Sequence, residues 1–296
     1  MRIIVLGAAA GGGLPQWNCG CRNCALARAG EIPRASQSSL AVTVDGRAWA
    51  ILNASPDIRS QLAATAALHP TGPRASPVRA VLLTNGDIDH VAGLLGLREK
   101  SPFELLATAA ILEVLAADPV FGVLDPGLVR RRPVRLGEAF ELLPGLEAEL
   151  FPVPGKVPLY LEGETVATDI EGEQTVGVRL GTGEERVLYV PGCAAVTPDL
   201  AARVNGAAAV FFDGTLWEDD EMIREGLGSK TGRRMGHVAM SGRDGSIAAL
   251  APLSIGRRIF VHINNTNPVW RPGSPERAEA EAAGWSVGAD GMEVTP

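Results

Sequence analysis

Apolar residues along this chain fall in short runs broken by Gly, Pro and charged positions. Residues 40–44 and 47–52 lie on either side of Asp45-Gly46, which predicts two strands joined by a two-residue hairpin. Residues 176–180 and 186–190 flank Gly181-Thr182-Gly183 and predict a second hairpin. Residues 78–83, 207–212 and 257–263 are nearly continuous apolar runs, the pattern of strands buried on both faces. Residues 285–287 and 292–294 read as a last strand pair. Helices are predicted over residues 58–68, 89–100, 103–117 and 198–204. In the second of these, Val91, Leu94 and Leu95 hold helical spacing. The fourth starts with Thr197 as N-cap and Pro198 at the first helical position.

Hairpins come first, then strands alternate with helices, in two successive halves. That order suits an α/β arrangement of two packed sheets with helices outside. No linker or repeat divides the chain, so residues 1–296 are expected to form a single domain. Aromatics are only 5% of the 296 residues, so the core must rest on Leu, Val, Ile and Ala. The net charge of -7 and the absence of a basic run longer than Arg130-Arg131-Arg132 argue against nucleic acid as a partner. No apolar run approaches the roughly 20 residues of a membrane span. The apolar stretch after Arg2 stops at a glycine cluster and suits a buried first strand better than a secretion signal. A cytoplasmic protein is expected.

Gly7, Gly11, Gly12 and Gly13 follow that first strand. A dinucleotide loop would need glycine where Gln16 stands and a helix where Pro15 and Trp17 stand. The glycines are expected to let the backbone turn tightly beside a site. Cys19, Cys21 and Cys24 crowd into the next loop, far from Cys193. Clustered thiols in a cytosolic chain point to a metal. Structural zinc takes four ligands, so a distant residue must complete the set, with Asn265 and His262 as candidates.

Chemistry-bearing residues recur at strand ends. Thr84-Asn85-Gly86-Asp87-Ile88-Asp89-His90 follows one apolar run, Asp213 ends another, and His262 ends a third, while His237 follows a Gly-rich stretch. Ligands at the carboxyl ends of strands converge on an open crevice. One such end could be an ordinary helix cap, but three matched ends favour a metal centre.

These motifs resemble the PqqB family, proteins of pyrroloquinoline quinone (PQQ) biosynthesis. The likeness lies in residues 11–24, in 84–90 with Gly93-Leu94-Leu95 and Leu97-Arg98-Glu99, in 53–59 and in 262–268. The resemblance implies a metallo-β-lactamase-like four-layer αβ/βα sandwich, two mixed sheets flanked by helices. Hydrolases of that superfamily carry H-x-H-x-D-H at the first strand end. Here Asn85 and Asp87 replace its first two histidines, and only Asp89 and His90 remain. With His69, His90, His237 and His262 the only histidines, the usual dinuclear site cannot be assembled. A single metal held by His90, His262 and a carboxylate, Asp89 or Asp213, is feasible, and two imidazoles with one carboxylate form the facial set of non-haem iron. The resemblance implies an iron-dependent oxygenase that hydroxylates the tyrosine ring of a small peptide-derived Glu-Tyr precursor, with Asp87 or His237 moving protons. A metal-dependent hydrolase and a non-enzymatic carrier of PQQ or its precursor to the periplasm are the alternatives. Arg98, Lys230, Arg233 and Arg234 are the candidate carboxylate partners for the carrier. Expected cofactors are a structural Zn2+ and an active-site metal, Fe2+. Other PQQ-biosynthesis proteins and a homodimer remain open as partners.

Overall fold

The computed structural model describes residues 1–163, 167–182 and 185–296. Among these residues, fourteen strands form two seven-stranded mixed sheets. The first holds β1 (Arg2–Gly7), β2 (Ser39–Thr43), β3 (Trp49–Leu52), β4 (Val78–Leu82), β5 (Phe103–Ala107) and β6 (Val129–Pro133) side by side in chain order. The second holds β7 (Ala139–Leu143), β8 (Leu146–Pro152), β9 (Val176–Thr182), β10 (Glu185–Val190), β11 (Ala209–Asp213), β12 (Arg257–Val261) and β13 (Trp285–Val287). The chain then returns to the first sheet, where β14 (Glu293–Val294) pairs with β1. β1, β2 and β3 pair antiparallel and β3 to β6 parallel in the first sheet, while β7 to β10 pair antiparallel and β10 to β13 parallel in the second.

Period-two alternation sorts the apolar residues into two cores. Ile3, Val5, Leu40, Val42, Leu52 and Leu82 face the second sheet. Their neighbours Ile4, Leu6, Ala41, Ile51 and Val81 face helices Ile58–Ala64 and Ala109–Ala117 through Ile58, Ile111 and Leu115. Strands buried on both faces need no polar side, which is why they read as unbroken apolar runs.

The structure departs from the expected elements in several places. Residues 103–117 are not one helix. Phe103–Ala107 is a parallel strand between β4 and β6, and the helix begins after Thr108, whose hydroxyl accepts from Ile111 N at 3.3 Å. A short apolar run suits either element, and the Thr108 cap decides where the helix starts. The expected helix over 89–100 is a single turn, Ile88–Val91, followed by a 3-10 stretch, Ala92–Leu97. There Gly93 presses onto the preceding corner so closely that a Cβ would lie 2.1 Å from the Ser55 carbonyl oxygen. The helix over 58–68 breaks at Thr65, where the backbone turns extended before a 3-10 turn, Ala66–Leu68. Asp45-Gly46 is not a two-residue turn: β2 and β3 are joined through residues 44–48, with the Asp45 carboxylate accepting from Arg47 N and Ala48 N. Gly183 of the other predicted turn lies outside the described residues, although β9 and β10 do pair antiparallel. Residues 285–287 and 292–294 do not pair with each other, because β13 extends the second sheet and β14 the first. Strands β6 to β8 were not expected. Arg130-Arg131-Arg132 proves to be the edge strand β6, with Arg130 and Arg132 beside Glu104, and such charges protect a sheet edge from further pairing. Thr197 caps Pro198–Val204 as expected, its hydroxyl accepting from Leu200 N at 3.2 Å.

Candidate metal centre

The carboxyl ends of β4, β11 and β12 open at one edge of the sandwich, where a cavity of about 340 Å³ is lined by Asp87, Asp89, His90, His237 and His262. The loop after β4 is braced from β3. Asn53, in left-handed backbone at φ 62, accepts from Thr84 N at 2.9 Å. The glycine loop does lie beside this site, with Gly11 next to the Asp89 carboxylate.

Asp89, His90 and His262 form one compact trio. Asp89 Oδ2 is 3.1 Å from His262 Nε2 and 4.0 Å from His90 Nε2. His90 Nδ1 meets Asn85 Oδ1 at 2.7 Å. An amide oxygen only accepts, so Nδ1 carries the proton and Nε2 presents a lone pair. That Nε2 is buried and has no hydrogen-bond partner among the described residues. Burial pushes the His90 imidazole down to about 4 and keeps it neutral. Burial opposes the charge on Asp89, but His90 and His262 outweigh it and hold the carboxyl well below the usual carboxylate range.

His262 stands at the end of β12 in left-handed backbone, φ 53, a conformation that costs a non-glycine residue about 1–3 kcal/mol. Backbone bonds from Ile263 N to Ala8 O and from Asn264 N to Thr215 O, at 2.9 and 3.0 Å, hold it there. Thr215 sets its tautomer. The Thr215 hydroxyl donates its one proton to Asp213 Oδ1 at 2.6 Å, and its oxygen then accepts from His262 Nδ1 at 2.9 Å. His262 Nε2 is left facing Asp89 Oδ2 with a lone pair. Two lone pairs 3.1 Å apart repel unless a cation lies between them, a proton or a metal ion. Burial disfavours the imidazolium, but Asp89 prevails and raises the His262 imidazole.

A second trio, Asp213, His237 and His262, shares the last histidine. His237 Nδ1 donates to Asp213 Oδ2 at 2.7 Å, and its ring stacks on His262 with centroids 5.2 Å apart. Asp213 is fully buried and its oxygens are well engaged, since it also accepts from Cys193 N and from Thr215 N, each at 3.0 Å. His237 therefore joins the cluster through Asp213. Asp87 lines the same cavity, accepting from Asn85 Nδ2 at 3.1 Å and Leu159 N at 3.2 Å.

Cys19, Cys21 and Cys24 meet on the other side of the 262–267 segment. The Asn265 amide points into the centre of the three sulfurs, its Nδ2 lying 3.2, 3.4 and 3.3 Å from them. A half-turn of that planar amide would bring its oxygen to the same point. His262, the other candidate for this position, belongs to the strand-end cluster. Among the described residues no cysteine is disulfide-bonded, and Cys193 is buried apart from the trio. Asn23 locks the two segments together, donating to Asn265 O at 2.9 Å and Asn267 O at 2.8 Å.

Sequence reasoning missed Asn85, Thr215 and Asn23 as site residues. All three are neutral and act by orienting another group. Only the position of Asn85, where a histidine stands in the hydrolase pattern, carried a signal. Of the cations singled out, Lys230 lines the cavity and Arg234 pairs with Glu162, which lines it too. Arg98 pairs with Glu99 away from the cavity, and Arg233 lines a separate groove.

A model of the β-lactamase superfamily domain matches residues 48–263. Coenzyme PQQ synthesis protein B of Ruegeria pomeroyi is 60% identical over 294 residues, with 99% of each chain covered. Its namesake from Rhizobium meliloti is 59% identical over 296 residues, covering 99% of this chain and 97% of that one. The crystal structure of Zn2+-bound PqqB from Methylobacterium extorquens superposes over 100% of both chains, with a TM-score of 0.98 at 55% identity. A diphosphatase of the PhnP family shares the fold with a TM-score of 0.70 at 21% identity, over 100% of this chain and 97% of the other. With relatives this similar along their whole length, the chain belongs to the coenzyme PQQ synthesis protein B family, PqqB, within the β-lactamase superfamily.

Proposed function

We propose that this protein acts in PQQ biosynthesis as a metal-dependent hydroxylase of the tyrosine ring in a small peptide-derived precursor. The names of its relatives support the pathway. The observation that carries the chemistry is the buried, unpartnered Nε2 of His90 beside the opposed Asp89 and His262 pair. Two neutral imidazoles and a carboxylate around an unfilled point suit one divalent ion with positions left for substrate, and iron is the ion this donor set favours for oxygen chemistry. Asp89, His90 and His262 would hold it, with Asp213 close by through His262. Bound there, such an ion supplies dioxygen activation.

The chain's own residues do the rest. Asn85 and Thr215 fix the tautomers of His90 and His262, so both lone pairs stay available. Asp213 holds His237 by Nδ1, leaving Nε2 as the atom that can give or take a proton beside the substrate. Asp87 can do the same from its carboxylate. The apolar walls Leu159, Met222 and Met235 suit an aromatic ring and exclude water from it. Cys19, Cys21, Cys24 and Asn265 suit a structural Zn2+ that would hold the N-terminal loop against the 262–267 segment. The unpaired cysteines fit a reducing cytoplasm. No helix among the described residues is long and apolar enough to cross a membrane.

His90→Ala tests the reading. Metal analysis and an oxygen-dependent assay on the purified variant should show loss of the active-site ion and of hydroxylation together. Retained hydroxylation would remove His90 from the metal. A wild-type protein that binds PQQ tightly but turns nothing over, with metal and oxygen present, would make it a carrier instead.

A further inference from the structure

Lys156, Lys230 and Arg234 all converge on one carboxylate, Glu162, next to the metal-centre residues. Glu162 Oε1 meets Lys156 Nζ at 2.8 Å, and Oε2 meets Lys230 Nζ at 3.2 Å and Arg234 Nη1 at 3.4 Å. Both oxygens lie within ion-pair reach of a cation, although Oε1 makes no hydrogen bond among the described residues, and the Glu162 and Lys156 side chains are 8% and 11% exposed, so this is not a loose surface pair. Burial works against the Glu162 charge, but the two ammonium groups outweigh it and hold the carboxyl at about 2. Three cations face a single anion, and among the described residues none of the three has another ionic partner. Lysine ammonium groups have three donors each. Lys156 spends one, a long one, on Val157 O at 3.3 Å and meets Glu162 as an ion pair without a hydrogen bond. Lys230 has Glu162 alone among the described residues. Lys156, Lys230 and Glu162 line the same cavity as Asp89, His90 and His262.

The cavity is therefore polarised. Asp89, among the histidines, repels a ligand's acidic group from one part of it, and the lysine cluster, whose positive charge exceeds that of Glu162, attracts it to another. Glu162 itself shows that the cluster fits a carboxylate, with one oxygen for each ammonium.

We propose that Lys156 and Lys230, gathered with Arg234 on Glu162, form a carboxylate-binding subsite in which the two lysines hold the substrate by an acidic group and so turn its other end towards Asp89, His90 and His262. This deepens the reading of the cavity as the substrate site and rests on it. The probes are glutarate, its neutral isostere glutaramide, and inorganic phosphate, each titrated calorimetrically into the metal-loaded protein. Glutarate should bind about tenfold more tightly than glutaramide, and Lys230→Gln should weaken glutarate by about tenfold while leaving glutaramide unchanged. Glu162→Gln, which removes the resident competitor, should tighten glutarate. Arg98→Gln, away from the cavity, should change nothing. Equal glutarate affinity in wild type and Lys230→Gln would overturn the subsite. So would weaker glutarate binding by folded Glu162→Gln, which would make Glu162 a strut and not a counter-charge. Phosphate binding more tightly than glutarate would reassign the cluster to a phosphoryl group. The titrations need neither oxygen nor turnover, so a failed hydroxylation assay leaves them readable.

Discussion

Replacing Thr215 with valine keeps the shape of the side chain and removes one oxygen. That oxygen is buried, donates to Asp213 at 2.6 Å and accepts from His262 Nδ1 at 2.9 Å. A hydrogen bond to a charged acceptor contributes about 1.5–3 kcal/mol, and a buried N–H left without a partner costs about 1–3 kcal/mol. Thr215→Val should therefore destabilise the fold by roughly 3–5 kcal/mol. Domains of this size lose about 2 °C in Tm per kcal/mol, so the drop should be about 6–10 °C. The effect should not stop at stability. Without the hydroxyl, His262 is free to present either nitrogen to Asp89, and losing a ligand's orienting partner typically weakens a metal about 10–100-fold. Thr215→Ser, which keeps the oxygen, should stay within about 1 kcal/mol of wild type and retain the metal. Thermal denaturation and competition against a chelator of known affinity would read both quantities. A valine variant that melts and binds metal like wild type would refute the assignment of Thr215 as the group that sets the His262 tautomer.

Two further perturbations probe different parts of the fold. Gly93→Ala places a Cβ 2.1 Å from Ser55 O and 2.7 Å from Ala54 O, both backbone atoms that cannot swing aside. The variant should lose about 3 kcal/mol or more, seen as a large fall in Tm or as insoluble protein; a normal melt would show that the corner yields. Glu221 is buried under Thr266 and Trp217 N, and burial pushes its carboxyl up to about 7. A raised folded-state value means that its stabilisation is complete below the ordinary carboxylate range and is lost as pH rises through about 7. Between pH 5 and 8 this should remove roughly 2–3 kcal/mol. Glu221→Gln should flatten that slope, and parallel Tm-against-pH curves for the two proteins would contradict it.

The parts of the structure that sequence reasoning reached share one property: each is encoded by neighbours along the chain. β11 ends in Asp213, β12 runs directly into His262, and β4 leads within a few residues to Asp87, Asp89 and His90, so strand and ligand announce each other. Cys19, Cys21 and Cys24 sit within one loop. What stayed hidden depends on pairing across distance. β6 to β8 are edge or near-edge strands with Arg and Glu on their open faces, and none is the continuous apolar run of a central strand, β8 alternating Leu146, Ala148 and Leu150 with Glu147 and Glu149. Residues 103–107 carry a run short enough to fit either helix or strand, and only the neighbours β4 and β6 decide. Asn85 and Thr215 are ordinary residues until a histidine ring arrives beside them. Lys156 and Glu162 are likewise two charges among many until the fold brings Lys230 and Arg234 to them.

The segment from His262 to Asn267 serves two masters. Its first residue faces Asp89 across the strand ends, and Asn265, three positions later, plugs the thiol cluster. So short a stretch of backbone cannot be tightened at one end and left slack at the other. Whatever free energy links occupancy of the two clusters must act with equal strength in both directions, so stripping the thiols should loosen the grip on the strand-end ion by the same factor as the reverse.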